Sequence, residues 1–142
     1  MPTSFSFHGV RVSVRLRTAD TGGRYALVEM EHRPGAGPAL HVHPRGPESF
    51  YVLDGVYTFT LGDETRTAGP GEAVSVPPGI PHRYVAGPDG GRALIVVPPD
   101  LETYFERVGR LLAAGPVSWD VEAAIAAEHG QDFQDAAGHW TA

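Results

Sequence analysis

The chain has 142 residues, a formal net charge of -6, and contains no cysteine and no lysine. These absences exclude disulfides, thiolate ligands, thiol nucleophiles and Schiff-base chemistry. The acidic balance, with no Lys/Arg cluster, excludes nucleic acid and anionic membrane surfaces as partners.

A hydrophobic share of 42% and a charged share of 20% describe an ordinary globular domain. The longest apolar run, residues 93–97, is strand length and does not span a bilayer. Residues 1–5 lack the basic and apolar stretch of a secretory leader, so a cytoplasmic protein is expected.

Residues 10–17 alternate apolar and polar side chains with period two, the pattern of a half-buried strand. Asp20-Thr21-Gly22-Gly23 turns the chain, and residues 24–32 alternate again. A Pro/Gly loop at 33–38 leads to a brief strand at 40–43 and an irregular stretch at 44–47. Residues 49–53 form an aromatic, β-branched strand, which Asp54-Gly55 is expected to close as a hairpin. Residues 56–61 return, Gly62-Asp63 turns, and 64–67 pair back. Gly69-Pro70-Gly71 and Pro77-Pro78-Gly79 bracket a strand at 73–76. Strands at 82–86 and 92–97 flank an expected turn at 87–91. Many short strands at this spacing point to a sandwich or barrel.

The period changes after Pro98-Pro99. Asp100 is placed to cap a helix whose stripe is Leu101, Tyr104, Phe105, Val108, Leu111 and Leu112. Gly115-Pro116 ends it, and Ser118 caps a second, Ala-rich helix running through Glu128. Residues 131–142 carry no clear pattern. The expected organisation is a β-barrel over 1–99 with a helical extension of the same domain over 100–142, its helices packed outside.

Chemistry concentrates in four residues. Side chains two apart on a strand share a face, so His41 and His43 project together. Glu48 follows the loop that interrupts this strand, and His82 opens a later strand after a Pro-Gly turn. Imidazoles and a carboxylate meeting at one point suit Fe, Mn, Ni, Cu or Zn. Alone, a pair of strand histidines reads as polar surface.

The spacing around these residues resembles the cupin superfamily. Gly35, His41, His43, Glu48 and Gly55 fit its first motif without a gap; Gly71, Pro77, Gly79 and His82 fit its second. Ala86 departs from the second motif, where Asn is usual, which puts a strand-end contact in doubt rather than the site. The motif pair occurs once, as in small single-domain cupins resembling quercetin dioxygenases. The resemblance implies an all-β double-stranded β-helix, a jelly-roll barrel, with His41, His43, Glu48 and His82 holding one divalent transition metal.

Phe50 and Val52 follow Glu48 by alternation, and Tyr84 and Ala86 follow His82. Phe50, Phe59 and Tyr84 are candidate walls of a substrate pocket, although barrel core is the better explanation of Phe50 and Phe59. Alternation leaves open whether Tyr57 or Phe59 faces inward. Tyr84 and Glu48 are the candidate catalytic residues, a phenol donor beside the metal and a ligand able to act as base. Arg45 in the Pro-rich loop is a candidate to meet an anionic group at the mouth, with a solvated loop residue the favoured reading. Glu29, Glu31 and His32 are within reach of the pocket, but a surface strand face explains them equally, and His8, His129 and His139 show no partner spacing.

The resemblance implies a metal-dependent oxygenase acting on a small aromatic or polyketide-like metabolite. A non-oxidative isomerase, cyclase or decarboxylase using the metal as a Lewis acid remains open, as does a binding module without chemistry. The outer face bearing Tyr51 and Leu53 suggests a homodimer.

Overall fold

A computed structural model describes residues 4–140 of the chain. β1 (Ser4–Phe7) and β2 (Val10–Leu16) join through His8-Gly9, with φ of 51° and 76°. Two left-handed residues in a two-residue loop make the tight hairpin that matches strand twist. β3 (Ala26–His32), β4 (His41–Val42), β5 (Glu48–Leu61), β6 (Glu64–Ala68), β7 (Ala73–Val76) and β8 (His82–Val97) follow. Then come α1 (Leu101–Ala114), α2 (Trp119–Glu128) and β9 (Asp132–Phe133). The strands run in the order β1-β2-β3-β8-β4-β9, while β5 pairs with β6, β7 and β8. This is a jelly-roll barrel with the two helices on its outside.

The expected hairpin at Asp54-Gly55 and the expected turn at 87–91 are both absent. β5 and β8 run continuously through those positions and bend together, with Gly55 opposite Gly91. An Asp-Gly pair supplies the left-handed backbone that either a hairpin or a bulge needs. Here it serves a bulge: Gly55 has φ 77°, and the register shifts between Val52/Asp54 and again between Gly55/Tyr57. The corner lets each long strand serve two walls. The first half of β5 pairs with β7 and the second half with β6.

The bulges also reset the inward phase. Phe50 and Val52 face in before the corner, and both Tyr57 and Phe59 face in after it. They meet Val28, Met30, Ile95 and Val97 from neighbouring strands in one core. Each fully buried apolar side chain of this size contributes about 1.5–3 kcal/mol of transfer free energy.

Helix α1 lays Leu101, Tyr104, Phe105 and Val108 on the barrel, as its period requires, but Leu111 is 42% exposed where the helix overruns the core. Asp100 does not cap its helix by accepting a backbone N–H. Its backbone is left-handed (φ 75°), and its carboxylate accepts from Thr103 Oγ1 (2.9 Å) and His129 Nδ1 (2.6 Å). Ser118 does cap α2, accepting from the Val121 N–H. No helix among the described residues is long and apolar enough to cross a membrane.

Candidate metal centre

The fold converts spacing in the chain into convergence in space. β4 carries His41 and places it directly opposite His82, the first residue of β8. His43 lies just past β4, and Glu48 opens β5. All four are buried, with exposures of 1% to 5%. One donor atom from each lies within 4.8 Å of the others. Donors each about 2.1 Å from a shared cation stand roughly 3 to 4 Å apart, so the cluster needs little contraction to hold one.

The far side of each ring decides which nitrogen is offered. His41 Nδ1 lies 2.8 Å from the Ala39 carbonyl, His43 Nδ1 3.2 Å from the Gly130 carbonyl, and His82 Nδ1 2.9 Å from the Ile80 carbonyl. A carbonyl only accepts, so each Nδ1 carries the proton and donates it. That leaves the three Nε2 atoms directed at the cluster, the arrangement that fixes tautomer and aim in metal-binding histidines.

Glu48 Oε1 sits 3.3 Å from His43 Nε2 and 3.0 Å from His82 Nε2. Burial opposes ionisation of Glu48, but the neighbouring imidazoles of His43 and His82 outweigh it and hold the carboxyl well below its ordinary range. Burial, reinforced by His82 and His43, holds His41 well below its ordinary range and therefore neutral. For His43 burial lowers the value, yet Glu48 outweighs it and the net direction is up. A cation among the Nε2 atoms takes the place of a proton shared between His43 and Glu48, so uptake displaces it. An anionic carboxylate with oriented imidazoles is a donor set that fits a divalent transition metal.

Tyr84 stands beside this cluster, lining a cavity of about 10 Å³ with His41 and Glu48. Its hydroxyl is engaged by His32 Nε2 (2.8 Å) and lies 3.7 Å from Met30 Sδ. Burial, with Glu48 and Tyr57 adding to it, pushes the phenol well above its ordinary value, so it stays protonated. Phe50 and Phe59 pack against each other at 4.9 Å in the core. The cavity wall is formed instead by Met30, Pro38, Ile95, Phe105, Gln131 and Trp140.

His32 is no surface residue. It is 5% exposed and bridges Tyr57 (2.7 Å) and Tyr84 (2.8 Å) through its two ring nitrogens. Alternation held the signal, because His32 follows the inward Val28 and Met30 on β3. Gln131 and Trp140 carried no such signal. Arg45 is half exposed and reaches the Glu128 carbonyl at 3.2 Å. At Ala86 the backbone makes the strand-end contact without an Asn side chain: its N–H donates to the Ala36 carbonyl and its carbonyl accepts from Gly35 N–H.

A second cluster joins residues that showed no partner spacing. His8 Nε2 and His139 Nε2 stand 2.8 and 2.7 Å from the two oxygens of Glu122. The Ala39 N–H donates to His139 Nδ1 (3.1 Å), so Nε2 of a neutral His139 carries a proton. That makes the second cluster a hydrogen-bonded tie rather than a set of free metal donors.

With this geometry in place, the relatives are informative. The model of the cupin domain matches residues 28–98. The polyketide cyclase RemF from Streptomyces resistomycificus is 33% identical, with a TM-score of 0.54 and 68% of each chain covered. An oxalate decarboxylase variant from B. subtilis is 25% identical with a TM-score of 0.58, over 68% of this chain and 27% of that one. A stretch of 60 residues is 35% identical to mannose-1-phosphate guanylyltransferase 2 of Escherichia coli O157:H7. That stretch is 42% of this chain and spans only 12% of the guanylyltransferase.

Proposed function

The chain belongs to the cupin family, and from that premise we propose that it is a metal-dependent enzyme acting on a small metabolite that binds through oxygen. The observation that carries this reading is the buried, tautomer-fixed cluster of His41, His43, Glu48 and His82. Those four residues would hold one divalent ion of the Fe, Mn, Ni, Cu or Zn group. When bound, such an ion supplies Lewis acidity, polarising a ligand oxygen and stabilising negative charge on it.

The chain's own residues supply the rest. Ala39, Gly130 and Ile80 aim the imidazoles through their carbonyls. Glu48, held ionised, is the carboxylate positioned to accept a substrate proton. Tyr84, locked by His32, shapes the wall and does not titrate. Met30, Ile95 and Phe105 exclude water from the cavity, which strengthens every charge interaction inside it.

Proton transfer without oxidation, as in a cyclase or isomerase, is the reading we place first, supported by the likeness to a polyketide cyclase at 33% identity. Oxygenation of an aromatic or polyketide-like substrate is the second, because the same donor set accommodates redox-active iron, manganese, nickel or copper.

The deciding experiment is metal analysis of protein purified without added metal, followed by assays with polyketide and flavonol substrates with and without oxygen. Turnover that persists under strict anaerobiosis supports the first reading. Oxygen uptake supports the second. Metal-loaded protein inert under both conditions overturns both. Glu48→Gln should weaken metal affinity by about 100-fold or more, since losing an outer hydrogen-bond partner alone costs about 10–100-fold; unchanged metal content in that variant would count against the site.

A further inference from the structure

Residues 130–140 run over the histidine cluster and are tied to it. The Gly130 carbonyl orients His43, β9 pairs with β4 so that Phe133 lies opposite His41, and the Gln134 N–H donates to the Leu40 carbonyl (2.9 Å). At Trp140 the backbone N–H donates to the Gly37 carbonyl (2.6 Å), and the carbonyl accepts from the Arg33 guanidinium. The Trp140 backbone is left-handed, with φ 53°. A bulky residue there costs about 1–2 kcal/mol, so the surrounding bonds hold the side chain in place against strain. Its ring lies within 11° of parallel to the rings of both His8 and His32.

This indole carries an unpaired donor. Trp140 is 4% exposed, and its Nε1 is the buried side-chain nitrogen left without a hydrogen-bond partner among the described residues. Leaving such a group unmet costs about 1–3 kcal/mol, and native proteins keep one chiefly where a ligand or water completes it. Trp140 lines the same cavity as His41 and Glu48. Tyr84, on that wall too, has its hydroxyl taken by His32. Gln131, also in the wall, can donate or accept, but an indole N–H can only donate. Its complement is a carbonyl, carboxylate or enolate oxygen, never an ammonium. The cavity of about 10 Å³ has room for no more than a single water. A larger ligand therefore enters only if part of the wall shifts. Residues 130–140 belong to that wall and are held by a two-residue strand and single hydrogen bonds instead of a long ladder.

We propose that residues 130–140 form a cover over the metal pocket and that Trp140, carried on it, donates its indole N–H to an oxygen of the metal-bound ligand. This rests on the metal reading above and adds the ligand class that the pocket selects.

The test uses the whole protein loaded with zinc, titrated with acetohydroxamate, a small chelator that presents oxygens to metal and wall together. The chain's two tryptophans give two indole N–H resonances, and Trp119→Phe leaves that of Trp140. On binding, the Trp140 resonance should move downfield and its exchange with solvent should slow. Trp140→Phe, which keeps an aromatic ring and removes the N–H, should retain zinc and bind acetohydroxamate about tenfold more weakly. Its affinity for imidazole, which offers the wall a donor and no oxygen, should not fall. An indole resonance that stays in place while metal analysis shows zinc bound overturns this inference alone, as does equal weakening toward both ligands. Failure of the native protein to retain zinc overturns the metal reading with it.

Discussion

Burial makes His32 a pH-sensitive point in the core. Held to about 3 against an ordinary 6.5, it stays neutral in the fold. Between those values the unfolded chain binds a proton that the folded chain refuses, so stability rises with pH across that window. No penalty remains much above 6.5, and the penalty grows as pH falls toward 3, approaching the order of 4 kcal/mol. Equilibrium denaturation from about pH 7 to about pH 4 should show this slope. Tyr57→Phe removes the hydroxyl 2.7 Å from His32 Nδ1 and should cost about 1–3 kcal/mol at neutral pH, read by denaturant titration. A loss near zero would mean that His32 has another partner. The same residue shows how local signals run out: alternation on β3 pointed His32 inward, but only the approach of Tyr57 and Tyr84 made burial tolerable.

Elements follow local chemistry until two chemistries share one signal. Asp54-Gly55 carries the dipeptide of a hairpin, and the chain uses it as a corner within β5. The choice lies with β8, whose Gly91 faces Gly55 and leaves room for the bend. A Cβ at position 55 would stand 2.3 Å from the Gly90 carbonyl oxygen, in a left-handed backbone that alanine resists. Gly55→Ala should therefore destabilise the fold by about 2 kcal/mol or more, seen as a lowered thermal midpoint. An unchanged midpoint would show that the corner shifts freely. α1 illustrates the opposite case, since a 3.6-residue stripe has a single structural meaning and Leu101, Tyr104, Phe105 and Val108 all bury.

Across the whole molecule, Glu122 of α2 gathers distant pieces. It receives His8 from the β1–β2 hairpin, Tyr104 from α1 (2.7 Å) and His139 from the segment beyond β9. Burial raises the Glu122 carboxyl, but the hydrogen bonds from His139, His8 and Tyr104 outweigh it and bring it down to about 2. A carboxylate depressed in the fold contributes stability above its unfolded value of 4.5, and that contribution is lost as pH falls toward 2. Glu122→Gln should cost about 2 kcal/mol near neutrality and remove part of the acid transition. Parallel acid titrations of the two proteins, followed by far-UV circular dichroism, would check this, and coincident curves would rule it out.

Much of the His/Glu cluster was legible in the chain because its logic is local. Two-residue spacing puts His41 and His43 on one face, a short loop sets Glu48 at a strand opening, and a Pro-Gly turn does the same for His82. Strand periods, helix stripes and excluded chemistries were equally open to reading, since each depends on neighbours a few residues away. What only the tertiary structure decided involves contacts between residues far apart: His43 with Gly130, His32 with Tyr57 and Tyr84, and His8 and His139 with Glu122. Trp140 belongs to the same class. Nothing in residues 131–140 repeats with a strand or helix period, and their place over the pocket follows from bonds to Gly37, Arg33 and Leu40. A sequence pattern records which side chains share a face of one element, while the meeting of two elements depends on how the whole barrel closes.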